Sequence, residues 1–136
     1  MKQKSFRILD LAQLALAIAF AVGAFTFLKP CAAHDDGSWM SCHWAGEAVK
    51  GMACLLALLG TLKLCLRGSG AKLGLALATV PAAILTCLIP GGLIGLCMMD
   101  TMRCQVVSKP GTLVFGVLIA ALAVVDAVLL SRADKR

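Results

Sequence analysis

Tyrosine is absent, aromatic residues make up 5% of the chain, and charged side chains make up only 15%. Soluble domains carry about 25% charged residues. That deficit, beside 60% hydrophobic residues and a mean hydropathy of +0.92, excludes a water-soluble globule. Catalytic signatures are missing as well: the 136 residues contain no Gly-x-Ser-x-Gly elbow, no His-Glu-x-x-His pair and no Walker phosphate loop. The chain therefore supplies neither a nucleophile elbow, nor a zinc-protease helix, nor an ATPase of its own. With no paired acidic site in the apolar stretches either, the reading leans to a protein that is not an enzyme.

What the chain does have is apolar length. A helix crossing a bilayer needs roughly 20 residues at about 1.5 Å each. Four stretches qualify, at about 8–28, 48–66, 72–89 and 112–130. They predict an all-α, integral membrane four-helix bundle, a single transmembrane domain over residues 1–136, with cysteine-bearing outer loops at 29–47 and 90–111. Lys2, Lys4 and Arg7 ahead of the first stretch resemble the start of a secretory leader. No small-x-small cleavage site follows, and Phe27, Leu28, Lys29 and Pro30 precede Cys31, so the stretch reads as a span.

Lys and Arg near the ends of spans favour the cytoplasmic side. With both termini inside, nine of the thirteen basic residues fall there: Lys2, Lys4, Arg7, Lys63, Arg67, Lys72, Arg132, Lys135 and Arg136. Lys29, Lys50, Arg103 and Lys109 remain outside, beside Asp35, Asp36, Glu47 and Asp100. The formal net charge of +6 is thus a topology signal and implies no nucleic-acid partner.

Small residues recur at four-residue spacing: Ala15, Ala19 and Gly23; Ala53 and Ala57; Gly70, Gly74, Ala78 and Ala82; Gly116 and Ala120. In lipid, helices associate by close contact across such residues, so these stripes are the predicted packing faces. Three ionisable side chains lie within the spans, Asp10, Lys63 and Asp126, all near the cytoplasmic ends. Buried membrane charges must pair or reach the interface. The expectation is a snorkelling Lys63 with an ion pair to one aspartate; a proton or cation step is the alternative.

Sulfur and imidazole are unevenly spread. Of seven cysteines, six methionines and two histidines, only Met1 and Cys65 map to the inner side. The outer half holds Cys31, His34, Met40, Cys42, His43, Met52, Cys54, Cys87, Cys97, Met98, Met99, Met102 and Cys104. Six outer cysteines, Cys31, Cys42, Cys54, Cys87, Cys97 and Cys104, are disulfide candidates in a compartment that permits bridges, and six allow 15 connectivities. The stretch from Cys97 to Cys104 reads as helical apart from its ends. Seven residues of helix would hold those two cysteines about 10 Å apart, beyond the roughly 7 Å reach of a bridge. Either the helix breaks between them or they bridge to Cys31 and Cys42. Pro90, Gly91 and Gly92 stop the third span, leaving Leu93 to Leu96 as an interfacial or re-entrant piece. Trp39 and Trp44 suit the membrane boundary, and His34, Asp35 and Asp36 form a polar loop tip.

Three chemical readings of the outer cluster stand side by side. Disulfides can staple the loops into a cap. Thiolate, thioether and imidazole, with His43, Met40, Met98 and Met102 first in line, can bind a soft metal such as copper, accept zinc or ligate a haem-type group. Two outer cysteine pairs on a four-span bundle are also the layout of quinone-linked thiol-disulfide oxidoreductases, although neither pair here has the close Cys-x-x-Cys spacing that lowers a thiol pKa.

Taken together, Cys31, the stretch Asp36 to Ala48 with its Ser-Cys-His-Trp core, and Cys97-Met-Met-Asp-Thr-Met-Arg-Cys104 resemble a family of small four-span bacterial membrane proteins classed as a domain of unknown function. The resemblance covers nearly the whole chain. Its distinctive residues here are Cys31, Gly37, Met40, Cys42, His43, Trp44, Cys97, Met98, Met102, Arg103 and Cys104. It implies a multi-pass protein of the bacterial cytoplasmic membrane that serves as accessory subunit or modulator of a membrane transport complex. Partners in that setting are the lipid bilayer, an ABC-type permease and ATPase, or further copies of the chain.

Overall fold

In the computed structural model, which describes residues 2–29, 31–33 and 35–135, four long helices follow one another. They are α1 (Lys2–Phe25), α2 (Ser41–Cys65), α3 (Ser69–Leu88) and α4 (Lys109–Asp134). A π-helical turn, Cys104–Ser108, runs directly into α4. Each helix is long and apolar enough to span a membrane. α1 packs on α2, α2 on α3, α3 on α4 and α4 back on α1, which closes an all-α four-helix bundle. Of the positions singled out in the sequence, Met1, Pro30, His34 and Arg136 lie outside the described residues.

The buried faces follow a repeat of three and four residues rather than the four-residue small stripes. On α1 the inward residues are Asp10, Gln13, Ala17, Phe20 and Ala24; on α2 they are Cys42, Ala45, Val49, Ala53, Leu56, Gly60 and Lys63. α3 turns Ala76, Thr79, Ala83 and Thr86 inward, and α4 Thr112, Ile119, Ala123, Asp126 and Leu130. Such spacing is the seam of helices crossing at a shallow angle. Ala15, Ala19, Gly70, Gly74 and Ala78 are exposed, so most of the predicted α1 and α3 stripes do not form the packing face. Gly23, Ala53 and Gly116 are buried. The close-contact rule operates at Gly60, where an added Cβ would lie 3.2 Å from Leu14 Cδ1, and at Gly116, where an added Cβ would run into Cys87 Sγ and lie 3.3 Å from the carbonyl oxygen of Ala83. Phe20 stacks on Phe115 with ring centroids 5.3 Å apart and fills the centre. Thr79 and Thr86 donate to the carbonyls of Leu75 and Ala82, so these core hydroxyls need no partner from a neighbouring helix.

Helix ends depart from the apolar stretches. α1 stops at Phe25, and Thr26, Phe27 and Leu28 turn their N–H groups back to the carbonyls of Val22 and Gly23, which tucks Leu28 into the core. α2 starts at Ser41 rather than near Ala48, so Cys42, His43 and Trp44 stand on its first turn and not in a loop. Hydropathy marks where lipid begins, whereas the helix continues through polar residues held by the Glu47–Lys50 pair at 2.6 Å. Past α3, Gly91 adopts φ +90°, and the N–H groups of Gly92 and Leu93 bond to the Leu88 carbonyl, closing the turn expected at Pro90-Gly91-Gly92.

At the end of the bundle where α1 begins and α4 finishes, Lys63 does not snorkel. Its side chain is 1% exposed and contacts carboxylates on two helices: Asp10 Oδ1 at 3.2 Å and Asp126 Oδ2. Gln13 Oε1 accepts from the same ammonium at 2.9 Å, and Lys72 donates to Asp10 Oδ2 at 2.8 Å. One charged residue from each helix thus meets in a single network, two lysines against two aspartates. Gln13 and Lys72 were not legible as members, although Gln13 stands three residues after Asp10 on the same helix face.

Candidate functional site

The opposite end of the bundle gathers sulfur. Cys31 lies in irregular chain beyond the turn that ends α1, Cys42 in the first turn of α2, Cys97 in the segment after α3, and Cys104 at the start of the π-helical turn. Their four Sγ atoms lie within 4.8 Å of one another. Cys31 Sγ is 2.8 Å from Cys104 Sγ, and Cys97 Sγ is 3.2 Å from Cys42 Sγ. A third contact, 3.9 Å between Cys97 and Cys104, joins the two close pairs, and Met40 Sδ stands 3.7 Å from Cys97.

Polar groups around the sulfurs fix the segments that carry them. Ser108 Oγ donates to the carbonyl of Leu28, tying the first loop to the π-helical turn three residues before Cys31 and four after Cys104. Gln105 Nε2 donates to the carbonyl of Cys97 at 3.0 Å. The stretch from Cys97 to Met102 is not helical: it turns through a Met102 N–H bond to Met99 and enters helix at Arg103. The helix expected between Cys97 and Cys104 therefore breaks, and the two cysteines also face Cys42 on the first turn of α2 and Cys31 in the loop after α1. Asp36 accepts from the N–H and hydroxyl of Ser38 across Gly37, whose φ is +80°. Those two donors, the N–H first, hold the Asp36 carboxyl below its ordinary value.

Cys42 and Cys104 are buried, while Cys31 and Cys97 are half-buried. Burial pushes the Cys97 thiol up, and its contact with Cys104 adds to that, against an opposing pull from Cys42. Beside Cys97 opens a cleft of about 530 Å³ walled by Trp39, Met40, Met98, Met99 and Met102. Met98 is fully exposed on its rim.

The remaining candidates lie elsewhere. Cys54 is exposed on α2, and Cys87 sits on α3 against Gly116 with its thiol 3.9 Å from the Leu113 carbonyl, so the structure brings neither to the cluster. His43 stacks on Trp39 with centroids 4.0 Å apart and meets Trp44 edge-on at 5.5 Å; its ring stands outside the sulfur group. Both tryptophans are exposed, as residues at a membrane boundary would be. Gln105 and Ser108 escaped the sequence reading, since nothing in a polar residue at a span's edge reveals which carbonyl it will reach.

Fold and site together define a multi-pass membrane protein of four helices with a cysteine cluster at one end. The chain belongs to the family described as Domain of unknown function (DUF4418), whose model matches residues 13–129. That stretch contains all four clustered cysteines together with Lys63 and Asp126. Neither the curated proteins nor the solved structures gave a match to this chain.

Proposed function

We propose that this chain is a non-enzymatic subunit of the bacterial cytoplasmic membrane, both termini inside, whose outer end is a cap stapled by the disulfides Cys31–Cys104 and Cys42–Cys97. The supporting observation is the cross-loop pairing of the four sulfurs. The first bridge ties the loop after α1 to the start of α4; the second ties the start of α2 to the loop after α3. The paired residues are 73 and 55 positions apart. Chain entropy assigns such bridges about 4 kcal/mol each in a fully flexible chain, an upper bound where the unfolded helices stay in lipid. The cap's exposed apolar rim, with Trp39, Leu93, Met98 and Met99, gives a larger complex something to dock on. An ABC-type transporter is the partner class that the family resemblance implies.

A second reading is a soft-metal site. Tetrahedral zinc thiolate, with bonds of about 2.3 Å, sets its sulfurs roughly 3.8 Å apart, and the contacts here, from 2.8 Å to at most 4.8 Å, bracket that value. Met40 at 3.7 Å and the methionine-walled cleft would suit Cu(I) better than zinc. Quinone-linked exchange has less support, because burial raises the Cys97 thiol where a reactive thiol would be lowered. Intact mass with metal analysis on one purified sample decides. The cap predicts a mass lower by four hydrogens and no bound metal; stoichiometric copper or zinc with every thiol alkylatable would replace it with the metal site.

A further inference from the structure

Between the start of α1, the end of α2 and the start of α3 lies a cleft of about 680 Å³, at the opposite end of the molecule from the sulfur cluster. Its walls carry Arg7, Arg67 and Lys72 beside Phe6, Leu11 and Leu64, and no carboxylate lines it among the described residues. A cavity that sets cations beside leucines matches a molecule with an anionic head and apolar tails.

The local charge balance sharpens this. Asp10 and Asp126 are already matched by Lys63 and Lys72 inside the bundle. Arg7 and Arg67 have no ion-pair partner among the described residues, and both are exposed. Two exposed guanidiniums are left over on the walls of a cleft whose third cation, Lys72, is pinned in place by Asp10 at 2.8 Å. Guanidinium forks match phosphate oxygens two at a time. Leu11, which lines the cleft, is exposed on the bundle surface, as are Ile8 on the same helix and Leu62 near the end of α2, so the helices that wall the pocket offer an acyl chain an apolar, lipid-facing surface.

We infer that this cleft is a binding site for an anionic glycerophospholipid, its phosphodiester held by Arg7 and Arg67 with Lys72 behind them and its acyl chains lying along Phe6, Leu11 and Leu64. Basic pockets between membrane helices on the cytoplasmic side recognise such headgroups. A free phosphate would satisfy the cations but leave the leucine wall unused, which is why the lipid is the occupant assigned. The site shares the cap's membrane placement and is independent of its disulfides.

Delipidated full-length protein in a neutral detergent, titrated with phosphatidylglycerol or with phosphatidylcholine of the same chain length and read by native mass spectrometry, tests the assignment. Phosphatidylglycerol is expected to bind at one per chain and at least tenfold more tightly than phosphatidylcholine. The Arg7→Gln/Arg67→Gln variant should lose that preference, whereas Arg132→Gln, a basic residue on α4 that does not line the cleft, should keep it. Inorganic phosphate at millimolar concentration should not compete. Equal binding of the two lipids by the unaltered protein overturns the proposal, and needs no variant to fold. So does an undiminished preference in the double arginine variant with unchanged helical circular dichroism, or displacement of the lipid by phosphate alone.

Discussion

Replacing Lys63 with methionine tests how the bundle tolerates charge in its interior. Lys63 is 1% exposed, faces Asp10 at 3.2 Å and contacts Asp126. At an effective dielectric of about 20, two unit charges at that separation attract by roughly 5 kcal/mol. Desolvating each ion costs several kcal/mol, so the network as a whole adds little net stability. Removing only the cation is different, because it leaves two carboxylates in an apolar interior with Lys72 as the remaining charge partner, and then on Asp10 alone. Lys63→Met is therefore expected to destabilise the bundle by about 3–5 kcal/mol. Adding Asp126→Asn removes the stranded carboxylate and should recover more than half of the loss, since Asp10 keeps its bond to Lys72 at 2.8 Å. Reversible unfolding in mixed micelles, followed by far-ultraviolet circular dichroism, gives both values. A single variant within about 0.5 kcal/mol of the unaltered protein, or a double variant less stable than the single one, would refute the reasoning.

Three further outcomes follow from packing and sulfur. Gly116→Ala pushes a methyl into Cys87 Sγ and the Ala83 carbonyl, so it should cost about 1–3 kcal/mol, with partial relief from Cys87→Ala, measured by the same unfolding assay. Phe20→Ala empties the centre of the bundle beside Phe115 and should cost about 3 kcal/mol, the low end for such truncations, because lipid is as apolar as the interior. Cys42→Ser should lower the midpoint of unfolding only under non-reducing conditions and free Cys97 for alkylation, whereas Cys54→Ser, on the exposed face of α2, should change neither.

Length and hydropathy made the four helices legible, because nothing but a spanning helix uses twenty apolar residues so economically. Helix facing was not legible. In lipid, leucine serves equally on the outer face and in the core, so apolar residues carry no periodic signal, and small residues at Ala15, Ala19, Gly70 and Gly74 attracted an assignment that the structure gives instead to Ala17, Ala24, Ala76 and Ala83. The polar residues held the better clue: Asp10 and Gln13 begin the buried stripe of α1, and Lys63 ends that of α2. At the sulfur site, sequence named Cys31, Cys42, Cys97 and Cys104 but left their partners open. The choice depended on whether Cys97 to Cys104 was helical, and the π-helical turn that begins only at Cys104 is a local distortion that no side-chain pattern announces. Lys72 joined the charge network for a comparable reason. At the first residue of the third apolar stretch it counted only as one of the inner basic residues, and the closed ring of helices is what brings it to Asp10.

The pairing at the cap is tested most directly by peptide mapping of the protein digested without reductant after its free thiols have been blocked. One cross-linked species is expected to join the peptides of Cys31 and Cys104 and a second those of Cys42 and Cys97, with blocking reagent on Cys54, Cys65 and Cys87. Reagent on all seven cysteines, or a bridge that includes Cys54 or Cys87, would contradict it.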